Sequence, residues 1–140
     1  DPGSARQRRF LERSLATTRR PVRIVAFHQP AFTAGLHEPG EVQQKQWVPL
    51  LRRYRVSLVL QGHNHAYERI NRDGITYVTS GGGGADVYPC VRPTRGLRAC
   101  VPKHHFLDMR VTAAGIRLRA VTDEGKTIET LRLPAHPVTR

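Results

Sequence analysis

Three histidines sit where two short apolar runs stop. His28 closes Val25-Ala26-Phe27-His28, and His63 and His65 follow the run 56–60 inside Gln61-Gly62-His63-Asn64-His65. Neutral imidazole is a good ligand for Zn, Fe, Ni or Cu. In extended chain the side chains of His63 and His65, at i and i+2, project to the same side. Gly62, lacking a Cβ, lets the chain turn sharply after its run and lets another group come close. If both runs are buried strands, all three imidazoles fall at strand carboxyl ends, where α/β proteins place their sites. Metal binding is one reading of this pattern. Three surface or hydrogen-bonded histidines are the other, and spacing alone leaves both open.

The elements that must position these residues follow from periodicity. Ser4-Ala5-Arg6-Gln7 has the spacing of a capping box. Phe10, Leu11, Ser14, Leu15 and Thr18 follow at helical intervals, which predicts a helix over 4–18 stopped by Arg19-Arg20-Pro21. The β-branched, nearly all-apolar stretch 22–28 reads as a strand buried on both faces. Pro30, Gly35, Pro39 and Gly40 make 29–40 a long loop. A second helix over 41–54 carries Trp47, Leu50, Leu51 and Tyr54 on one face, with a kink or restart expected near 48 because of Pro49. A second buried strand covers 56–61, a polar loop 61–74, and a third strand 75–79, ending at Gly81-Gly82-Gly83-Gly84. Beyond 103, three strands (105–111, 116–121, 127–133) joined by short Gly-containing turns predict an antiparallel meander. The expected class is α/β, layered, with a mixed sheet.

Composition narrows the possibilities. At 140 residues, 39% apolar and 24% charged, the chain is ordinary for a soluble globular domain. No apolar run approaches the ~18 residues of a membrane-spanning helix, and no stretch has the order of a signal peptide. The net charge is +12, from 23 Lys and Arg against 11 Asp and Glu. Clustered cations would mark a polyanion-binding surface. Here arginines are scattered from Arg6 to Arg140, and aromatics (6%) do not interleave with them as a base-stacking platform requires. Solvated arginines are the preferred reading, and nucleic acid is not an expected partner.

Cys90 and Cys100 flank a segment holding Pro93 and Gly96, read as a loop. A disulfide, implying an oxidising compartment, is preferred to two free thiols. The pair is too sparse for a zinc site, which needs about four ligands. On that basis an extracytoplasmic location, secreted or periplasmic, is favoured over a cytoplasmic one.

Taken together, the motifs resemble the last two of the calcineurin-like metallophosphoesterases, most closely the purple acid phosphatase branch. Val25-x-x-His28 and Gly62-His63-Asn64-His65 are similar to the family's VxxH and GHxH, and Gly62 to Arg69 (GHNHAYER) to its GHxHxYER string. Phe27-His28-Gln29-Pro30, the Trp47-to-Tyr54 segment, Tyr77 to Gly84 (YVTSGGGG) and the meander fit as well. The resemblance implies half of a layered α-β-β-α sandwich, residues 1–134 being the carboxyl-terminal portion of the domain and 135–140 a tail. It implies a hydrolase of phosphoric esters working at a binuclear centre of Fe, Zn or Mn. His28 and His63 would ligate one ion and His65 the other. His37, nine residues after His28, stands where the family places a histidine facing the leaving group. It is either a proton donor or a solvated loop residue beside Glu38. Gly82 and Gly83 would present amides to a substrate phosphate or serve a tight turn. Packing and a loop-fixing ion pair are preferred for Tyr67 and Arg69. His104 and His105 read as strand-entry residues and His136 as solvent-exposed.

The earlier motifs of the family, DxH, GDxx(D/Y) and GNH(D/E), are absent, and none of Asp1, Asp73, Asp86, Asp108 or Asp123 stands in such a context. The resemblance therefore implies a partner, the amino-terminal half with the Asp and Asn ligands. Alone, the chain is expected to hold at most one ion, weakly. A catalytically incomplete remnant and a basic nucleic-acid-binding module are the alternatives.

Overall fold

The computed structural model describes residues 3–136. Helix α1 (Ala5–Thr17) starts where the Ser4 hydroxyl accepts the Gln7 N–H at 3.3 Å, satisfying one of the free donors of the first turn. It buries Leu15, with Leu11 packed beside it, while Phe10 faces solvent. Strand β1 (Ile24–Ala26) leads into the long loop. A π-helical turn (Gln43–Trp47) then gives way to α2 (Val48–Arg53). The change of winding falls just before Pro49, which lacks the N–H that a continuous α-helix would use.

Strands β2 (Leu58–Gln61), β3 (Tyr67–Arg72), β4 (Ile75–Ser80) and β5 (Leu97–Val101) join β1 in a sheet of order β1-β2-β4-β3-β5. The β1/β2 and β2/β4 pairs are parallel, and β3 is antiparallel to both β4 and β5. Strands β6 (His105–Thr112), β7 (Gly115–Thr122) and β8 (Thr127–Pro134) form a separate antiparallel meander.

Both faces of the five-stranded sheet are covered. Leu15, Phe32, Leu51, Val59, Ile70 and Tyr77 build the core on the helical side. Leu58, Tyr67 and Val78 meet Ile116, Leu118, Ala120 and Leu131 of the meander on the other. The order of layers is helices, mixed sheet, antiparallel sheet. Burial on both faces explains why β2 reads as an unbroken apolar run rather than an alternating one.

Four expectations need correction. Residues 61–74 are not all loop, since Tyr67–Arg72 is the strand β3, hairpinned to β4. Its alternate charges hid it: Glu68 points inward and is fully buried. The segment between the cysteines is only partly loop, because β5 begins at Leu97. β1 is not buried on both faces; it has three residues, Ala26 is exposed, and among the described residues only β2 pairs with it. His136 is half-buried, its N–H donating to the Pro21 carbonyl at 2.9 Å. The rest of the expected tail, 137–140, lies outside the described residues.

Candidate metal centre

Parallel pairing of β1 with β2 continues past both strands. The Phe27 N–H donates to the Leu60 carbonyl at 3.1 Å, and the Gly62 N–H to the His28 carbonyl at 2.9 Å. His28 and the turn that follows β2 are therefore forced side by side. Within that turn His63 has φ +68°, a left-handed conformation uncommon for a residue with a Cβ and frequent at functional sites. Gly81 allows β4 to end against the turn, because a Cβ there would lie 2.0 Å from the Asn64 carbonyl oxygen.

This backbone brings His28 Nε2 within 3.2 Å of His63 Nδ1. Two nitrogens bound at ~2.0–2.1 Å to one tetrahedral ion are about 3.3 Å apart. The pair thus fits two ligands of a single ion. His65 Nδ1 is 2.9 Å from the Asp86 carbonyl. A carbonyl only accepts, so Nδ1 is the donor there and Nε2 is the nitrogen left to face a metal, the arrangement that orients a ligating histidine. Burial, then the neighbouring His37, His28 and His65, hold the His63 imidazole below its ordinary range, in the neutral form a ligand requires. The fit is partial, however. Among the described residues no three His, Cys, Asp or Glu side chains converge closely enough to hold an ion.

His37 lies on the long loop with its ring centroid 4.7 Å from that of His63. Tyr88 lies against the rings of both His37 and His65, at 5.8 and 5.1 Å, and its hydroxyl donates to the His63 carbonyl at 3.2 Å. The loop is fixed from inside by buried polar side chains. Gln61 accepts the Ala31 N–H and donates to the Phe32 carbonyl. Glu68 accepts from the Thr33 hydroxyl and the Ala34 N–H; burial pushes its carboxyl up. Asn64 Oδ1 accepts the His37 N–H, and its amide nitrogen donates to the His37 carbonyl and to Thr33 Oγ1. Gly35 makes room for that amide, since a Cβ would sit 2.4 Å from Asn64 Cγ.

The other candidate residues divide. Gly82 is buried against the His105 ring and the Lys103 carbonyl, whereas Gly83 stands in open space. Cys90 and Cys100 are bridged, their Cα atoms 6.3 Å apart. Tyr67 and Arg69 both bond Glu129, tying the two sheets together. His105 enters β6 with its ring held between Ser80 and the Lys103 carbonyl, and His104 bonds the Ala85 carbonyl. Sequence reasoning gave Gln61, Thr33, Glu68, Tyr88 and Arg92 no place in the site, and Asn64 no role in holding His37. The one local signal was a set of polar residues within or beside otherwise apolar strands.

No family model matches the chain. Tartrate-resistant acid phosphatase type 5 of Mus musculus is 28% identical over 148 residues, covering 98% of this chain and 45% of that protein. The Homo sapiens protein of that name is 36% identical over 75 residues, 53% of this chain and 23% of its own. Purple acid phosphatase 23 of Arabidopsis thaliana is 34% identical over 74 residues, 46% of this chain and 16% of that protein. The chain spans less than half the length of these relatives. Among solved structures, purple acid phosphatase PPD1 from yellow lupin superposes with a TM-score of 0.83 and 18% identity, over 95% of this chain and 29% of that one. GAP50, described as the anchor in the inner membrane complex of Plasmodium, gives a TM-score of 0.85 and 20% identity, over 94% of this chain and 43% of that one. In sequence the chain is similar to purple acid phosphatases, and in fold it matches the carboxyl-terminal half of a calcineurin-like phosphoesterase.

Proposed function

We propose that this chain supplies the histidine side of a binuclear metallophosphoesterase centre that hydrolyses phosphoric esters. The observation that carries this reading is the 3.2 Å approach of His28 Nε2 to His63 Nδ1, beside a His65 whose Nε2 is kept free. His28 and His63 would hold one ion of Fe, Zn or Mn, and His65 the second. When bound, such a pair lowers the pKa of water and neutralises charge on the phosphoester. The chain's own residues do the rest. His37 stands beside the pair and donates a proton to the leaving alkoxide oxygen. Gly82 and Gly83 offer backbone amides to the phosphate. Tyr88 covers the His65 side and braces the turn through the His63 carbonyl.

The bridging carboxylate and the Asn ligand must come from an amino-terminal half of the domain, as partner polypeptide or as preceding chain. Without them two dications held close together repel, so these residues alone hold one ion at best, weakly. The Cys90–Cys100 bridge favours an extracytoplasmic setting. A non-catalytic remnant is the second reading, favoured by the lack of any three converging ligands among the described residues.

The test is reconstitution. Adding a polypeptide that carries GDxx(D/Y) and GNH(D/E) should produce metal-dependent hydrolysis of an aryl phosphate, and His28→Ala or His63→Ala should abolish it. Hydrolysis that survives both substitutions would reject the assignment.

A further inference from the structure

His37 is gripped from two sides, and the outer grip comes from the loop that the disulfide closes. Every backbone carbonyl from Thr33 to His37 accepts a hydrogen bond from residues 91–94. The Thr94 hydroxyl donates to the Thr33 carbonyl at 2.9 Å. The Val91 and Arg92 N–H groups donate to the Ala34 carbonyl at 2.8 and 3.1 Å. The Arg92 guanidinium then spans three consecutive carbonyls: Gly35 at 3.0 Å, Leu36 at 2.9 Å and His37 at 2.8 Å. It also pairs with Glu38 at 2.6 Å. A rigid planar fork of donors can serve three acceptors at once, which a single ammonium cannot.

The bridge ties this outer grip to the inner one. Cys90 immediately precedes the donor segment, and its partner Cys100 sits in β5 directly opposite Glu68 of β3. Glu68 is the side chain that holds Thr33 and Ala34 from beneath. The disulfide therefore closes a frame around residues 33–37.

We propose that Arg92 is a positioning residue for His37, and that the Cys90–Cys100 disulfide keeps Arg92 in place, so that proton delivery by His37 depends on the bridge. This rests on reading His37 as the proton donor. A group ~1 Å out of place can cost a reaction on the order of 100-fold, and among the described residues the solvent-exposed His37 has ring contacts only with His63 and Tyr88, so its position depends on how its backbone is held. Two-electron reduction by a small dithiol, which becomes a cyclic disulfide as both cysteine sulfurs become thiols, would release the segment carrying Arg92.

The experiment has two arms. In the chain itself, amide hydrogen exchange is compared in wild type, Arg92→Ala, Arg92→Lys and Cys90→Ser/Cys100→Ser. The His37 amide should exchange at least about 10-fold faster in Arg92→Ala and in the double serine variant, and intermediate in Arg92→Lys. Val59 and Val78 in the central strands should keep wild-type rates, which shows that the fold persists. Wild-type protection of His37 in both variants would overturn the proposal.

In the reconstituted, metal-loaded protein, kcat and KM are measured for alkyl and aryl phosphates. A proton donor matters most for the poor alkoxide leaving group. Arg92→Ala should lower kcat on the alkyl ester by about 10–100-fold, spare the aryl ester and leave KM nearly unchanged, and millimolar guanidinium should restore part of the loss. If His37→Ala discriminates between the esters and Arg92→Ala does not, the positioning role is wrong. If His37→Ala does not discriminate, the donor reading fails and the proposal falls with it.

Discussion

Asn64 holds His37 by both ends of its backbone: Oδ1 accepts the His37 N–H at 2.8 Å, and the amide nitrogen donates to the His37 carbonyl at 3.1 Å. The same amide nitrogen donates to Thr33 Oγ1 at 2.8 Å, and Asn64 is fully buried between two half-buried histidines, His63 and His65. Removing it strands several polar groups in a site without alternatives. Asn64→Ala should therefore cost about 2–3 kcal/mol in urea denaturation, and a loss below 0.5 kcal/mol would show that water replaces the amide freely.

Acid should weaken the fold through two imidazoles. Burial holds His63 and His105 below the ordinary histidine range, the former helped by His37, His28 and His65. The unfolded chain then binds more protons than the folded one as pH falls past the unfolded value near 6.5. The stabilisation is present above that value and is lost as pH falls through the depressed folded one. The urea midpoint should drop between pH 7 and pH 5, and His63→Gln or His105→Gln should flatten the drop. A midpoint that rises over this range contradicts the assignment.

Glu129 joins the two sheets. The Tyr67 hydroxyl donates to its carboxylate at 2.6 Å and Arg69 Nε at 2.9 Å, with Arg69 and Glu129 each about four-fifths buried. Tyr67→Phe should cost about 1 kcal/mol, and Glu129→Ala about 2–3 kcal/mol because it leaves a hydroxyl and a guanidinium poorly paired. A double-mutant cycle should give a coupling of at least 0.5 kcal/mol; independent effects would mean that the contact adds nothing beyond packing.

Protein prepared under oxidising conditions should show no titratable thiol until unfolded and reduced. Replacing both cysteines by serine should lower stability by about 2–3 kcal/mol, the loop-closure value for a short ring. Two free thiols in the native protein would remove both the bridge and the argument for an oxidising compartment.

What the sequence revealed, and what it hid, follows the range of the interactions. The apolar run before Gln61 marked β2, and the Gly115 and Gly125 turns marked the meander, because these signals lie within one element. β3 was hidden by an inward Glu68 that has partners only because a loop 34 and 35 residues earlier delivers a hydroxyl and an amide to it. The grip of Asn64 and Arg92 on His37 spans 27 and 55 residues and consists of side chain to backbone bonds. Such bonds impose no period on the sequence and emerge only when the loop's own polar groups are accounted for.

Metal stoichiometry of the purified chain tests the central claim most directly. Titration with Zn²⁺, followed by calorimetry and elemental analysis, should show one weakly held ion per chain at most, lost on His28→Ala or His63→Ala, with aryl phosphate turnover near background. Two tightly held ions per chain with robust turnover would show that these residues complete the centre alone, and the account of a shared site would be wrong.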